Sequence, residues 1–275
     1  MDPVIARKTW RTLEPVHGAI YFVPEAAEEY AAVGIDDRMR GYFASRSAAM
    51  GPVPADVVIA TFYNFDPALV RRCMDGVWDA VAPSTILAAR LRAADRMIER
   101  LGGGAVNAAD LAEAADLART AALTACERPE GRPLFAGHAT LPWPDEPRLA
   151  LWHAQTLLRE FRGDGHVAAL TVEGLTGCEA LVSHAASGDV PADLLRATRD
   201  RTGDDWLAAE ERLRSIGWLD PDLALTDLGR RRRGWIEQRT DELAAAPYGA
   251  IGADGCARLR ELVRPLSRAM ASVFG

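Results

Sequence analysis

The chain is almost without lysine. Lys8 is the only one in 275 residues, and arginine supplies the rest of the positive charge. Together with the many alanines this looks like the coding bias of a GC-rich bacterial genome, so arginine alone says little about partners. Acidic residues outnumber basic ones, 39 to 32, and a net charge of -7 argues against broad attraction to a polyanion. The four cysteines, Cys73, Cys126, Cys178 and Cys256, stand far apart without a C-x-x-C pair, which argues against a zinc site or a disulfide framework. No run approaches the roughly 18 apolar residues of a membrane helix, and no signal-peptide pattern opens the chain. A cytoplasmic protein with free thiols and no membrane partner is expected. A glycine-rich phosphate loop, a G-x-S-x-G elbow and an H-E-x-x-H pair are also missing, which removes the commonest nucleotide, serine-hydrolase and zinc-protease readings. None of the five histidines has another four residues away, so neither a metal nor a cofactor is expected.

What is present reads as mainly α. Apolar residues make up 49% and charged residues 26%, a globular composition long enough for one large domain or two ordinary ones. In the N-terminal half, Glu14, His17 and Tyr21 fall at i, i+3 and i+7 on one helix face, and Tyr42, Arg46 and Met50 at i, i+4 and i+8 on another. The apolar run Ala55 to Phe65 reads as a buried helix, and Asp66-Pro67 is a helix start. Further helices follow from Pro83 to Leu101 and from Asn107 or Ala108 to Ala125. Residues 1–128 therefore form a helical bundle. Five prolines between Pro129 and Pro147 exclude helix and mark a connector, leaving 148–275 as a second domain.

The central stretch is the most polar in its context. Leu149 to Phe161 reads as a helix with His153, Thr156, Arg159 and Arg162 opposite its apolar stripe. Gly163-Asp164-Gly165 then breaks it, and His166 opens the next apolar run. Two arginines, two acids and two histidines around a glycine break suit a small polar site. Ordinary C-terminal capping accounts for the same pattern, and both readings stay open.

Downstream, Leu213 to Leu219 reads L-x-x-x-G-W-L and Leu225 to Gly229 reads L-T-x-x-G, with a turn at Pro221-Asp222 and a strand-like Leu223 to Leu225 between them. From about Leu175 to Leu243 this order resembles the winged-helix domains of MarR-type bacterial regulators. The whole chain also resembles a bacterial family carrying a helix-turn-helix label. The implied fold is a mainly α chain: an N-terminal helical bundle plus a C-terminal winged-helix-like domain with a short β wing. The helix that would enter the major groove carries Asp204, Asp205, Glu210 and Glu211, the wrong sign for bases and phosphates. DNA is therefore not expected as a partner, although Arg230 to Arg233 could reach phosphates.

The leading reading is a small-molecule-binding protein on a winged-helix scaffold, with the question of turnover open. As an enzyme it would be a cofactor-independent acid–base isomerase, cyclase or hydrolase of specialised metabolism. His166 or His17 would carry the proton, Asp164 or Glu160 would orient it, and Arg159 and Arg162 would clamp an anionic or carbonyl oxygen. His153, Glu14, Tyr21, Arg46, Tyr63 and Asn64 would line the ligand. The alternatives are a MarR-like, ligand-responsive transcriptional regulator with the bundle as sensor, or a binder without chemistry. The long helices Asp227 to Ala245 and Cys256 to Val273 pack back on the bundle or join a homodimer.

Overall fold

The structure is a computed structural model that describes residues 1–274. It divides into two compact units that do not follow chain order. The first takes Met1–Val53, Gly76–Asp164 and the chain from Asp241 onward; the second takes Pro54–Asp75 and Gly165–Thr240.

The first unit is built from helices with sequence-coded starts. Asp2 accepts from the Val4 amide and Pro3 follows it at the first helical position, opening Pro3–Gly18. Asp37 caps Arg38–Ser47 and Asn107 caps Ala108–Cys126 in the same way, while Pro83 opens Pro83–Gly102. Pro3–Gly18 packs along Gly252–Ala271, and Pro24–Ala31 along Pro83–Gly102. Leu13, Val16, Phe43, Ile86, Met97, Leu151, Leu157 and Leu259 are fully buried.

Two local expectations change here. The prolines between 129 and 147 do not exclude helix: Pro133–Ala139 is helical, with Pro133 where a missing amide costs nothing. The glycine pair does not break the central helix either, which runs unbroken as Pro147–Val172. Each interior glycine costs about 1 kcal/mol relative to alanine. That cost is outweighed by burial of Leu157, Leu158 and Phe161 on one side of the pair and of Ala169 and Leu170 on the other.

The second unit is also helical. Its core joins Leu170, Leu175, Leu181, Leu195, Trp206, Leu213, Trp218 and Ile236. Thr176 and Glu179 form a reciprocal capping box at the start of Gly177–Ala185. Among the described residues there is no β-strand, only an isolated bridge between Leu219 and Leu225. The winged-helix-like domain with a β wing, and with it the MarR-type resemblance, is thereby corrected. The loop is too tight for a ladder: the Asp220 carboxylate accepts from the Asp222 and Ala224 amides, Pro221 has no amide to donate, and Leu223 is left-handed at φ 65°.

Gly177 is a point of close approach. A β-carbon there would overlap the Tyr63 carbonyl. Gly177→Ala is expected to lower the unfolding free energy by about 2–3 kcal/mol, measured by urea denaturation. An unchanged midpoint would show that the backbone at Tyr63 gives way instead.

Candidate functional site

The first unit holds a polar cluster where a core would ordinarily be apolar. The Arg46 guanidinium donates to both carboxylate oxygens of Glu160, at 2.8 and 2.9 Å, and to the Tyr42 hydroxyl at 2.6 Å. Arg159 bridges Glu160 at 3.0 Å and Glu14 at 2.8 Å. The imidazole of His17 sits between the Thr156 and Tyr21 hydroxyls, 2.8 Å from each, and stacks on Trp152. Arg90 donates to the Tyr21 hydroxyl at 3.1 Å and to Ser45 at 3.3 Å, with its guanidinium over the Trp152 ring. Three guanidiniums, those of Arg46, Arg90 and Arg159, thus surround the single ring of Tyr21.

Helix geometry explains the assembly. Trp152, Thr156 and Arg159 recur at i, i+4 and i+7 and share one face of the central helix, which meets the His17–Tyr21 face. Burial and charge then set the protonation states. Burial acts to raise the Glu160 carboxyl, but Arg46 and Arg159 outweigh it and hold it at about 2. Burial alone dominates the histidines. It depresses His17 well below its ordinary value, His138 to about 3 and His153 to about 4, so all three are neutral at pH 7. Burial pushes the Asp164 carboxyl up to about 7; its Oδ2 accepts from the Phe135 amide at 3.0 Å.

Of the residues singled out in the sequence, Glu14, His17, Tyr21, Arg46, Arg159 and Glu160 come together in this cluster. His153 is buried and meets Trp143 edge-on at 4.8 Å between ring centroids. Arg162 pairs with Asp241 at 2.7 Å, below the Trp10 ring. His166, Tyr63 and Asn64 belong to the second unit. There, His166 meets Thr240 at 2.9 Å, Tyr63 donates to the Leu175 carbonyl, and the Asn64 carbonyl accepts from Arg201 at 3.0 Å. Arg90 was not foreseen. Its signal is that it replaces an apolar residue on the stripe Ile86, Ala89, Ala93, Met97 of Pro83–Gly102. No group of three or more His, Cys, Asp or Glu among the described residues is placed to hold a metal ion.

The second unit contains two helices joined by a three-residue turn: Ala192–Arg199, then Gly203–Ser215. Asp200 makes the turn in the left-handed region at φ 55°, which a short polar side chain tolerates, and Thr202 caps the second helix. Trp206, Ala209 and Leu213 bury one face of that helix, beneath the Arg196 guanidinium. Asp204, Asp205, Leu207, Glu211 and Arg212 are exposed.

A family model described as a helix-turn-helix family matches residues 6–274. No curated protein and no solved structure matches the chain. The family match, with the all-helical second unit, overturns the leading reading of a small-molecule protein or enzyme on a winged-helix scaffold. It also overturns the expectation that DNA is not a partner, which rested on one acidic helix and the net charge. The match covers nearly the whole chain, and the chain belongs to this helix-turn-helix family.

Proposed function

We propose that the protein is a helical helix-turn-helix regulator that binds double-stranded DNA through its second unit and senses a ligand with its first. The observation that carries this reading is the helix pair Ala192–Arg199 and Gly203–Ser215, joined by a short turn and anchored by Trp206, in a chain of helix-turn-helix descent. No helix of the described residues is long and apolar enough to cross a membrane. A regulator would work in the cytoplasm beside the chromosome.

The surface chemistry specifies the mode of binding. Asp204 and Asp205 suit the dipole at the helix N-terminus and Glu211 pairs with Arg214, and none of the three suits base edges. Arg230 and Arg232 are engaged with Asp227 and Glu173, whereas Arg212 and Arg231 are exposed and form no salt bridge among the described residues. Contacts then fall mainly on phosphates, which position a protein without reading sequence. Affinity should fall linearly with log salt, and Arg231→Ala should reduce that slope by about one while weakening all duplexes alike. Fluorescence anisotropy on duplexes selected from a random library measures both. Failure to retain any duplex at about 50 mM salt, where phosphate contacts are strongest, overturns the reading.

A further inference from the structure

Arg90 is 2% exposed, yet it has no carboxylate partner among the described residues. Its hydrogen bonds go to the hydroxyls of Tyr21 and Ser45, and its Nε has no hydrogen-bond partner among the described residues. A buried guanidinium without a counter-charge is costly, because desolvation is not repaid by Coulomb attraction. Nearby, Arg46 and Arg159 are balanced by Glu160 and Glu14, while His17 and His138 are neutral. Among these residues three guanidiniums face two carboxylates, and the guanidinium left without one is that of Arg90. The Trp152 indole lies under that guanidinium, and its Nε1, a donor, is buried without a hydrogen-bond partner, as are both amide atoms of Gln155 one turn further on.

We propose that Arg90, Trp152 and Gln155 form a binding site for a small planar monocarboxylate. The carboxylate pairs with the Arg90 guanidinium, and the flat body meets the Trp152 and Tyr21 rings edge-on, since their faces are taken by His17 and the guanidiniums. One negative charge balances Arg90, and further acceptors and donors satisfy Trp152 and Gln155. A dianion would overcompensate, and a neutral ligand would leave the guanidinium unbalanced. Trp143 packs edge-on against His153, the neighbour of Trp152 in the central helix, and belongs to the stretch 140–146, which has no regular helix. As the effector site of a regulator this rests on the proposed function; as a binding site it does not.

Benzoate, acetate and chloride are the probes, titrated into the full chain by calorimetry at constant ionic strength. Benzoate is expected to bind saturably and at least about tenfold more tightly than acetate, the margin that edge-to-face contact with aromatic rings supplies. Arg90→Met should lose about 30-fold or more in benzoate affinity, because a charge-assisted pair disappears. Its melting temperature should hold or rise, since an uncompensated buried charge is removed; a structural arginine would instead cost stability. Trp152→Leu should weaken benzoate more than acetate, which keeps the test decisive if Arg90→Met fails to fold. Binding of chloride alone, or no saturable binding, overturns the site. DNA affinity is measured separately with and without benzoate. Benzoate binding in a chain that retains no DNA sinks the regulator and leaves the site, whereas DNA binding without benzoate binding does the reverse.

Discussion

Replacing Glu160 by glutamine is expected to destabilise the protein by about 3–5 kcal/mol, the range for breaking a buried ion pair by removing one partner. Glu160 is 2% exposed and meets two guanidiniums, those of Arg46 and Arg159. Arg46 donates to both carboxylate oxygens of Glu160, whereas Arg159 also pairs with Glu14 and keeps it. Glutamine preserves the shape and one acceptor oxygen, so the loss measured is that of charge. Against a total stability of about 5–15 kcal/mol, such a loss brings the chain close to unfolding at room temperature. Removing both charges at once distinguishes pairing from packing. Arg46→Met with Glu160→Leu replaces the pair by apolar groups of similar volume and should recover most of the loss. Urea denaturation of the three proteins measures this. A loss below about 1 kcal/mol in Glu160→Gln would place the pair in the range of exposed salt bridges and deny its burial.

This network shows how far the sequence could be read. The two halves of it carried by single helices were legible: Glu14, His17 and Tyr21 on one face, Tyr42 and Arg46 on another, because helical period alone places them. Their joining at Glu160 was not, since it depends on a pairing between helices more than 100 residues apart in the chain. Arg90 hid for the opposite reason, being a charged residue that local reasoning assigns to solvent. The second unit misled through real geometry. In L-x-x-x-G-W-L and L-T-x-x-G, Thr226 donates to the Gly217 carbonyl and accepts from the Gly229 amide, and a β-carbon at Gly229 would overlap the Trp218 carbonyl. Those residues encode a close return of the chain onto the next helix. The return needs no wing, so the motif predicts the turn and not the strands. Of the four acids of Gly203–Ser215, Glu210 is buried and Asp204, Asp205 and Glu211 are exposed, which bears on how DNA would be held more than on whether it is.

Acidification is expected to unfold the protein sharply below neutrality. His17, His138 and His153 have folded values far below the ordinary histidine value of 6.5, with His138 at about 3 and His153 at about 4. Groups depressed in this way contribute stability that is present above 6.5 and is lost as pH falls, because the unfolded chain takes up protons that the folded chain refuses. Asp164 works in the opposite sense. Its folded value of about 7 lies above the unfolded 3.8, so the folded chain holds a proton that the unfolded one releases, and acidification favours folding across that window. Below 6.5 the unfolded chain thus binds three protons at these sites and the folded chain one. The difference of two corresponds to about 2.7 kcal/mol lost per pH unit. The slope holds down to about pH 4, where His153 takes up its proton, so it exhausts a stability of about 5–7 kcal/mol, the low end of the ordinary range. Urea denaturation at pH 7.5, 6.5 and 5.5, followed by circular dichroism, measures the slope. His138→Gln removes one of the three refused protons and should flatten it by about 1.4 kcal/mol per unit. Stability that stays level between pH 7.5 and 5.5 would mean that the imidazoles take up protons within the fold. The cluster would then hold water or mobile charge, in place of the dry packing that makes Arg90 conspicuous.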